Sequence, residues 1–149
     1  MRIIIGSDHV GRSLKDLLRA HLEERGLEVT DIGVHDDKPV DYPDIAQAVA
    51  EAIASGQFSR GLLVCGTGIG MAIAANKVPG VRAACCHDPY SAERARKSND
   101  AQVITLGALV IGAALARSLL DIWLESEFAS GPSQAKVEKI KALDERYRR

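Results

Sequence analysis

Leu62-Leu63-Val64-Cys65-Gly66-Thr67-Gly68-Ile69-Gly70-Met71 is the stretch that decides the fold. An apolar run of strand length stops at three alternating glycines, and a helix-like segment starts at Met71 and runs to Ala75. The segment therefore reads as strand, tight turn, helix. The same order recurs on both sides of it. Ile3-Ile4-Ile5 is a short buried strand, followed by Leu14, Leu17, Leu18 and Leu22 at helical spacing between about Arg12 and Arg25. Leu27 to Ile32 is a second strand, and Asp44 to Ala54 a helix carrying Ile45, Val49 and Ile53. Beyond the glycine turn, Val81 to Cys85 is a fourth strand, Ser91 to Lys97 a short helix, and Val103 to Leu106 a fifth strand. A long helix then ends near Leu124, and a last one spans about Gln134 to Tyr147.

Strands alternating with helices predict a three-layer α/β, Rossmann-like domain, a five-stranded parallel sheet flanked by helices and followed by a C-terminal helix. Ligands of such sheets bind beyond the carboxyl ends of the strands. No repeat or linker divides residues 1–149, so the chain reads as a single domain. The terminal helix, about 133–147, follows the break Ser130-Gly131-Pro132-Ser133. Two dockings stay open for it, on its own domain or on a partner subunit.

Charge narrows the function. Nineteen Lys and Arg against 20 Asp and Glu give a net charge of −1, which argues against nucleic acid or an anionic membrane as partner. No apolar run has the length of a membrane span, and the N-terminal one is too short for a secretory signal, so the cytoplasm is the expected compartment. Three cysteines without metal-like spacing argue for a reducing environment and for no metal site. Cys85 and Cys86, adjacent on a strand, face opposite sides.

The chemistry concentrates at Cys65-Gly66-Thr67-Gly68-Ile69-Gly70. Glycines between a strand and a helix let backbone N–H groups turn toward a ligand, and the helix dipole adds partial positive charge there. A phosphate, a carboxylate or an enediolate would be held. Gly61 and Gly66 have P-loop spacing, but Thr67 stands in place of the lysine, which excludes triphosphate chemistry. The alternation Gly66-x-Gly68-x-Gly70 is not a dinucleotide fingerprint. A cysteine phosphatase would need arginine at Met71. A thiol at this point, facing helix-start amides, is expected to lose its proton readily. The alternative is a small buried hydrophobe. Asp8 and His9 follow the first strand and so share the rim with Cys65, either binding hydroxyls or capping the next helix. In Asp41-Tyr42-Pro43-Asp44, Asp41 is expected to cap a helix whose first turn holds Pro43. Asn99, next to Asp100, is a candidate C-terminal cap.

These residues resemble those of the ribose-5-phosphate isomerase B and galactose-6-phosphate isomerase family, nearly end to end. The resemblance rests on Gly6-Ser7-Asp8-His9, Asp41-Tyr42-Pro43, Val64 through Gly70, Ala74-Ala75-Asn76-Lys77, Pro89-Tyr90-Ser91-Ala92, Asn99-Asp100 and Trp123-Leu124. It implies an aldose–ketose isomerase working through a cis-enediolate without metal or cofactor. It also implies a homodimer, or a dimer of dimers, whose sites draw on both subunits, with a small sugar or sugar phosphate as partner. By that resemblance Cys65 carries the proton between C1 and C2, and Gly66, Gly68, Ile69 and Gly70 supply amides to the enediolate. Thr67 bonds the reacting oxygens, and Asp8, His9, Tyr42 and Asn99 touch the sugar or its phosphate.

Two departures accompany the match. The family's ring-opening histidine corresponds to Ser98, with His87 a conceivable substitute. Its three phosphate-binding arginines correspond to Leu109, Pro132 and Lys136, of which Lys136 alone keeps a cation for phosphate binding. Ribose 5-phosphate is thus the family default. A tetrose phosphate, a hexose phosphate, an unphosphorylated aldose or a non-catalytic sugar-binding module are the alternatives.

Overall fold

The computed structural model describes residues 1–148. Strands β1 (Arg2–Ser7), β2 (Glu28–Asp31), β3 (Arg60–Cys65), β4 (Ala83–Cys85) and β5 (Val103–Gly107) form one sheet in the order β2-β1-β3-β5-β4. Every pairing is parallel, with Ser7 opposite Val64 and Cys65 opposite Gly107. The expected parallel sheet is therefore present.

Alternation along the strands builds the three layers. Ile3, Ile5, Leu62, Val64, Ile104 and Leu106 point to one face, where α1 (Arg12–Glu24), α4 (Pro89–Lys97) and α5 (Ala113–Glu125) bury Leu18, Ala92 and Trp123 against them. Ile4, Leu63, Cys65 and Val103 point to the other, covered by Val49 of α2 (Tyr42–Ala54) and Met71 of α3 (Ile69–Ala75). At about 25 cal/mol per Å² of apolar surface, each such aliphatic side chain contributes about 1.5–3 kcal/mol. The terminal helix α6 (Pro132–Tyr147) buries only Val137, and Asp144 accepts the Gly80 N–H at 2.9 Å.

Three local expectations are corrected. Helix α2 begins at Tyr42, not Asp44, because Pro43 supplies a ready-made first turn. Asp41 holds the N-cap position without a side-chain capping bond; the Asp44 N–H reaches its backbone carbonyl instead, at 3.2 Å. At the end of α4 the left-handed residue is Asp100 (φ 49°), one beyond Asn99. Asn76 caps the sheet edge, its amide exchanging bonds of 2.9 and 2.8 Å with the Ala83 backbone as a neighbouring strand would. Among the described residues no helix is long and apolar enough to cross a membrane.

Candidate functional site

β1 has β2 on one side and β3 on the other, so consecutive connections leave β1 in opposite directions. Crevices form at the carboxyl ends of strands at such a switch point. One opens here: a pocket of ≈ 370 Å³ lined by Asp8, Tyr42, Cys65, Gly66, Thr67, Ile69, Gly70 and Ile73.

Cys65 ends β3 and is 5% exposed. The Gly68 N–H donates to its Sγ at 3.1 Å. That approach needs a left-handed Gly68 (φ 78°), where an added Cβ would lie 2.8 Å from the Leu106 carbonyl carbon. The buried Thr105 hydroxyl donates to the Gly68 carbonyl at 2.7 Å and fixes the peptide from behind. The turn is tied down further, Ala108 N–H to Cys65 O at 2.8 Å and Leu109 N–H to Gly66 O at 3.0 Å. Thr67 Oγ1 accepts the Ile69 N–H at 3.2 Å, which leaves its hydroxyl proton free to donate. Gly70 lets the Tyr42 ring lie across the helix start: a Cβ there would sit 2.4 Å from the ring.

On β1's side, Asp8 is 6% exposed and its Oδ1 accepts the Gly11 N–H at 2.9 Å, so one carboxylate oxygen does cap the turn into α1. His9 Nδ1 accepts the Val40 N–H at 3.2 Å. A backbone N–H only donates, so the proton of the neutral ring is on Nε2. Buried Lys15 steadies this rim by bonding Asp31 at 2.9 and 2.8 Å and Val34 O at 2.8 Å. Burial pushes the Asp31 carboxyl up, but Lys15 and the Gly33 N–H outweigh it and hold it below the ordinary range.

The other thiols differ. Burial pushes the Cys85 thiol up, and pushes Cys86, beside Cys85 and Asp88, up to about 12. Cys65 alone of the three lines the pocket. His87 Nε2 accepts the Gly107 N–H at 2.9 Å, which makes it a turn anchor in place of the substitute ring-opening group.

The site residues read from the sequence thus divide. Asp8, Tyr42, Cys65, Gly66, Thr67, Ile69 and Gly70 come together in the pocket, with Gly68 behind the thiol and His9 next to Asp8. Ser98 and Asn99 do not join them. They precede the start of β5, whereas Cys65 lies opposite its end at Gly107. Four strand residues separate the two levels, about 13 Å at 3.3 Å per residue. Lys136 is exposed on α6, also away from the pocket. Thr105, Ile73 and the Val40 amide escaped the sequence reading. Thr105 looks like any β-branched strand residue, and a backbone donor leaves no mark in the sequence.

No lysine or arginine lines the pocket, so its attraction for anions rests on peptide dipoles. Among the described residues no three His, Cys, Asp or Glu side chains converge as a metal would require. A buried thiol with an N–H aimed at its sulfur, facing unpaired helix-start amides, can take a proton and steady an anionic oxygen beside it.

A sequence model of the ribose/galactose isomerase family matches residues 3–140. The ribose-5-P isomerase B of Listeria innocua is 54% identical over 148 residues, 99% of this chain and 100% of that one. The D-erythrulose-4-phosphate isomerase of Pectobacterium atrosepticum is 53% identical over 142 residues, 94% of this chain and 93% of that one. The solved ribose-5-phosphate isomerase B of Clostridium thermocellum superposes with a TM-score of 0.97 at 48% identity, over 99% of each chain.

Proposed function

The chain belongs to the ribose/galactose isomerase family and is an aldose–ketose isomerase of sugar phosphates; from that premise we propose that Cys65 is the base which moves its substrate's proton. The observation that carries this is the Gly68 N–H held 3.1 Å from Sγ inside the pocket. A thiolate there takes the C2 proton of the open-chain aldose. The electron pair forms the C1–C2 double bond of a cis-enediolate, and the thiol returns its proton to C1 as the ketose carbonyl forms at C2. The Gly68 and Ile69 amides are spent on Cys65 and Thr67, which leaves those of Gly66, Thr67 and Gly70 for the enediolate oxygens. The Thr67 hydroxyl and the free oxygen of Asp8 shuttle the proton between O1 and O2. Tyr42 and the Nε2–H of His9 hold the sugar.

In this reading the active unit is a homodimer, and Ser98, Asn99 and Lys136 act in the pocket of a second copy. Exposed apolar side chains at the mouth support it: Tyr42, Ile69 at 56% and Ile73 at 57% exposure line the pocket, and Leu109 at 79% lies beside Gly66, a rim that water alone covers poorly.

The family default, ribose 5-phosphate interconverting with ribulose 5-phosphate, is the first substrate. A four-carbon aldose 4-phosphate is the second, and one observation favours it. The position of the ring-opening histidine is Ser98, whose Oγ accepts a bond from Arg94 Nε at 2.7 Å. A hydroxyl so engaged is a poor acid–base group near neutral pH. A pentose 5-phosphate closes a furanose through its C4 hydroxyl, whereas in a tetrose 4-phosphate that oxygen is esterified and the chain stays open. A substrate panel tests both: kcat/KM for ribose 5-phosphate, erythrose 4-phosphate and the two free sugars, followed as ketose formation. Turnover of at least one phosphate ester is expected. Turnover of none, with free sugars equally inert, would refute the isomerase reading.

A further inference from the structure

A sugar phosphate brings a dianion to a pocket lined by no lysine or arginine and carrying the Asp8 carboxylate. Phosphates are gripped most firmly by charge-assisted, forked hydrogen bonds from arginine. Which guanidinium is free to give them can be read from the bonds each makes. Arg82 donates to the carbonyls of Asn99 and Asp100 and to the Asp100 carboxylate, at 3.2, 3.0 and 3.2 Å. Arg96 donates to Asp100 Oδ1 and Ala101 O, both at 3.0 Å, and is 4% exposed. Both are committed to the turn that follows α4.

Arg94 differs. Its Nε is held by Ser98 Oγ at 2.7 Å, one helical turn ahead on the same face, while its terminal nitrogens meet only Glu93 at 4.0 Å among the described residues. Glu93 is itself engaged by Lys97 at 3.2 Å. The Arg94 side chain is 38% exposed and adjoins exposed Asn99. Ser98 thus aims a planar fork whose outer edge is unspent, on the patch that the two-copy reading sends into a neighbour's pocket.

The geometry points to Arg94, oriented by Ser98, as a forked anchor that binds the substrate's phosphate, alongside Lys136, in the pocket of a second copy. It rests on the two-copy reading above and goes beyond it. Serine at this position removes an acid–base group and fixes a cation instead. The exchange suits an open-chain substrate, a four-carbon sugar with its anion on C4. Arg94 and Ser98 then act as a pair that sets substrate length.

The test has two parts. Arg94→Gln should lower kcat/KM for erythrose 4-phosphate roughly 10- to 100-fold, mainly through KM, and leave unphosphorylated erythrose within about twofold. Arg94→Lys should restore part of the loss, and Ser98→Ala, which frees the fork, should raise KM by a smaller factor. A wild-type KM in Arg94→Gln overturns the anchor. The second part finds which copy supplies the arginine. Cys65→Ala and Arg94→Glu chains carrying different tags are co-expressed and the doubly tagged species purified. Each mutant alone is impaired, but the mixed dimer holds one intact site and should recover roughly half of wild-type turnover. A mixed dimer as poor as its parents places Arg94 outside the partner's pocket and overturns the proposal, as does failure of any doubly tagged species to form. Wild-type protein inert toward every sugar in the same assay would instead defeat the isomerase reading.

Discussion

At the carboxyl end of β3, Cys65 faces glycine turns and a pocket lined by no cationic side chain. At the amino end of the same strand, Arg60 lies 5.9 Å over the Trp123 ring, with Arg96 and Arg82 around Asp100 close by. Burial first, and then mutual repulsion, lowers the Arg60 guanidinium; burial also lowers Arg96, against the pull of Asp100. Nε of both is buried without a partner. In the proposed mechanism one end of the strand uses neutral peptide dipoles where charge appears only during reaction. The other sinks permanent charge into the fold to lock the turn carrying Asn99. Preorganised dipoles cost little while the site is empty, whereas buried ions need opposite charge, which Asp100 gives to Arg82 and Arg96.

Breaking the locking end has the larger expected effect on stability. Arg96→Met leaves the partly exposed Asp100 paired with Arg82 alone and should cost about 1–3 kcal/mol, the range for losing hydrogen bonds to a charged group, in denaturant unfolding. A loss under about 1 kcal/mol would mean the cluster is solvated and the contrast between the ends is false. At the catalytic end, Gly68→Ala forces a side chain into the left-handed region and displaces the N–H at Cys65. A rate loss of about 10²–10³-fold is expected, comparable to that of losing one preorganised donor to a catalytic anion, here the Cys65 thiolate, in kcat more than KM. An unchanged kcat would show that this N–H does no chemistry.

The smallest effect is the response of the rim to acid. Asp31 holds its proton less tightly folded than unfolded, so its contribution is complete above the unfolded carboxyl value of about 3.9 and is lost as pH falls through the lower folded value. Unfolding free energy followed from pH 6 to about pH 2 should decline over that span, and the decline should be shallower in a Lys15→Met/Asp31→Leu variant. Equal slopes would remove Asp31 from the rim's support.

The layers were legible in the sequence because alternating strands and helices leave one solution, a covered parallel sheet. Strand order was not legible: the burial of Val103-Ile104-Thr105-Leu106 fits any central place and does not say that β5 inserts between β3 and β4. Cys65 and its glycines could be read because a thiol and three glycines at a strand–helix junction have few other uses. Thr105 and the Val40 amide could not, since one is an ordinary strand residue and the other a backbone group. Ser98 and Asn99 entered the site by resemblance alone. Within one chain the topology returns them to the opposite end of the sheet, and this distance gives the two-copy reading its content.

The proton that Cys65 is proposed to carry is measured directly by deuterium wash-in. Wild-type protein equilibrated in D2O with whichever sugar phosphate it turns over should place solvent deuterium on the carbon that gains the proton. Cys65→Ala, with an unchanged circular dichroism spectrum, should slow this exchange by about 10²–10⁴-fold. Exchange at the wild-type rate in Cys65→Ala would contradict the account, because the base would then be another group.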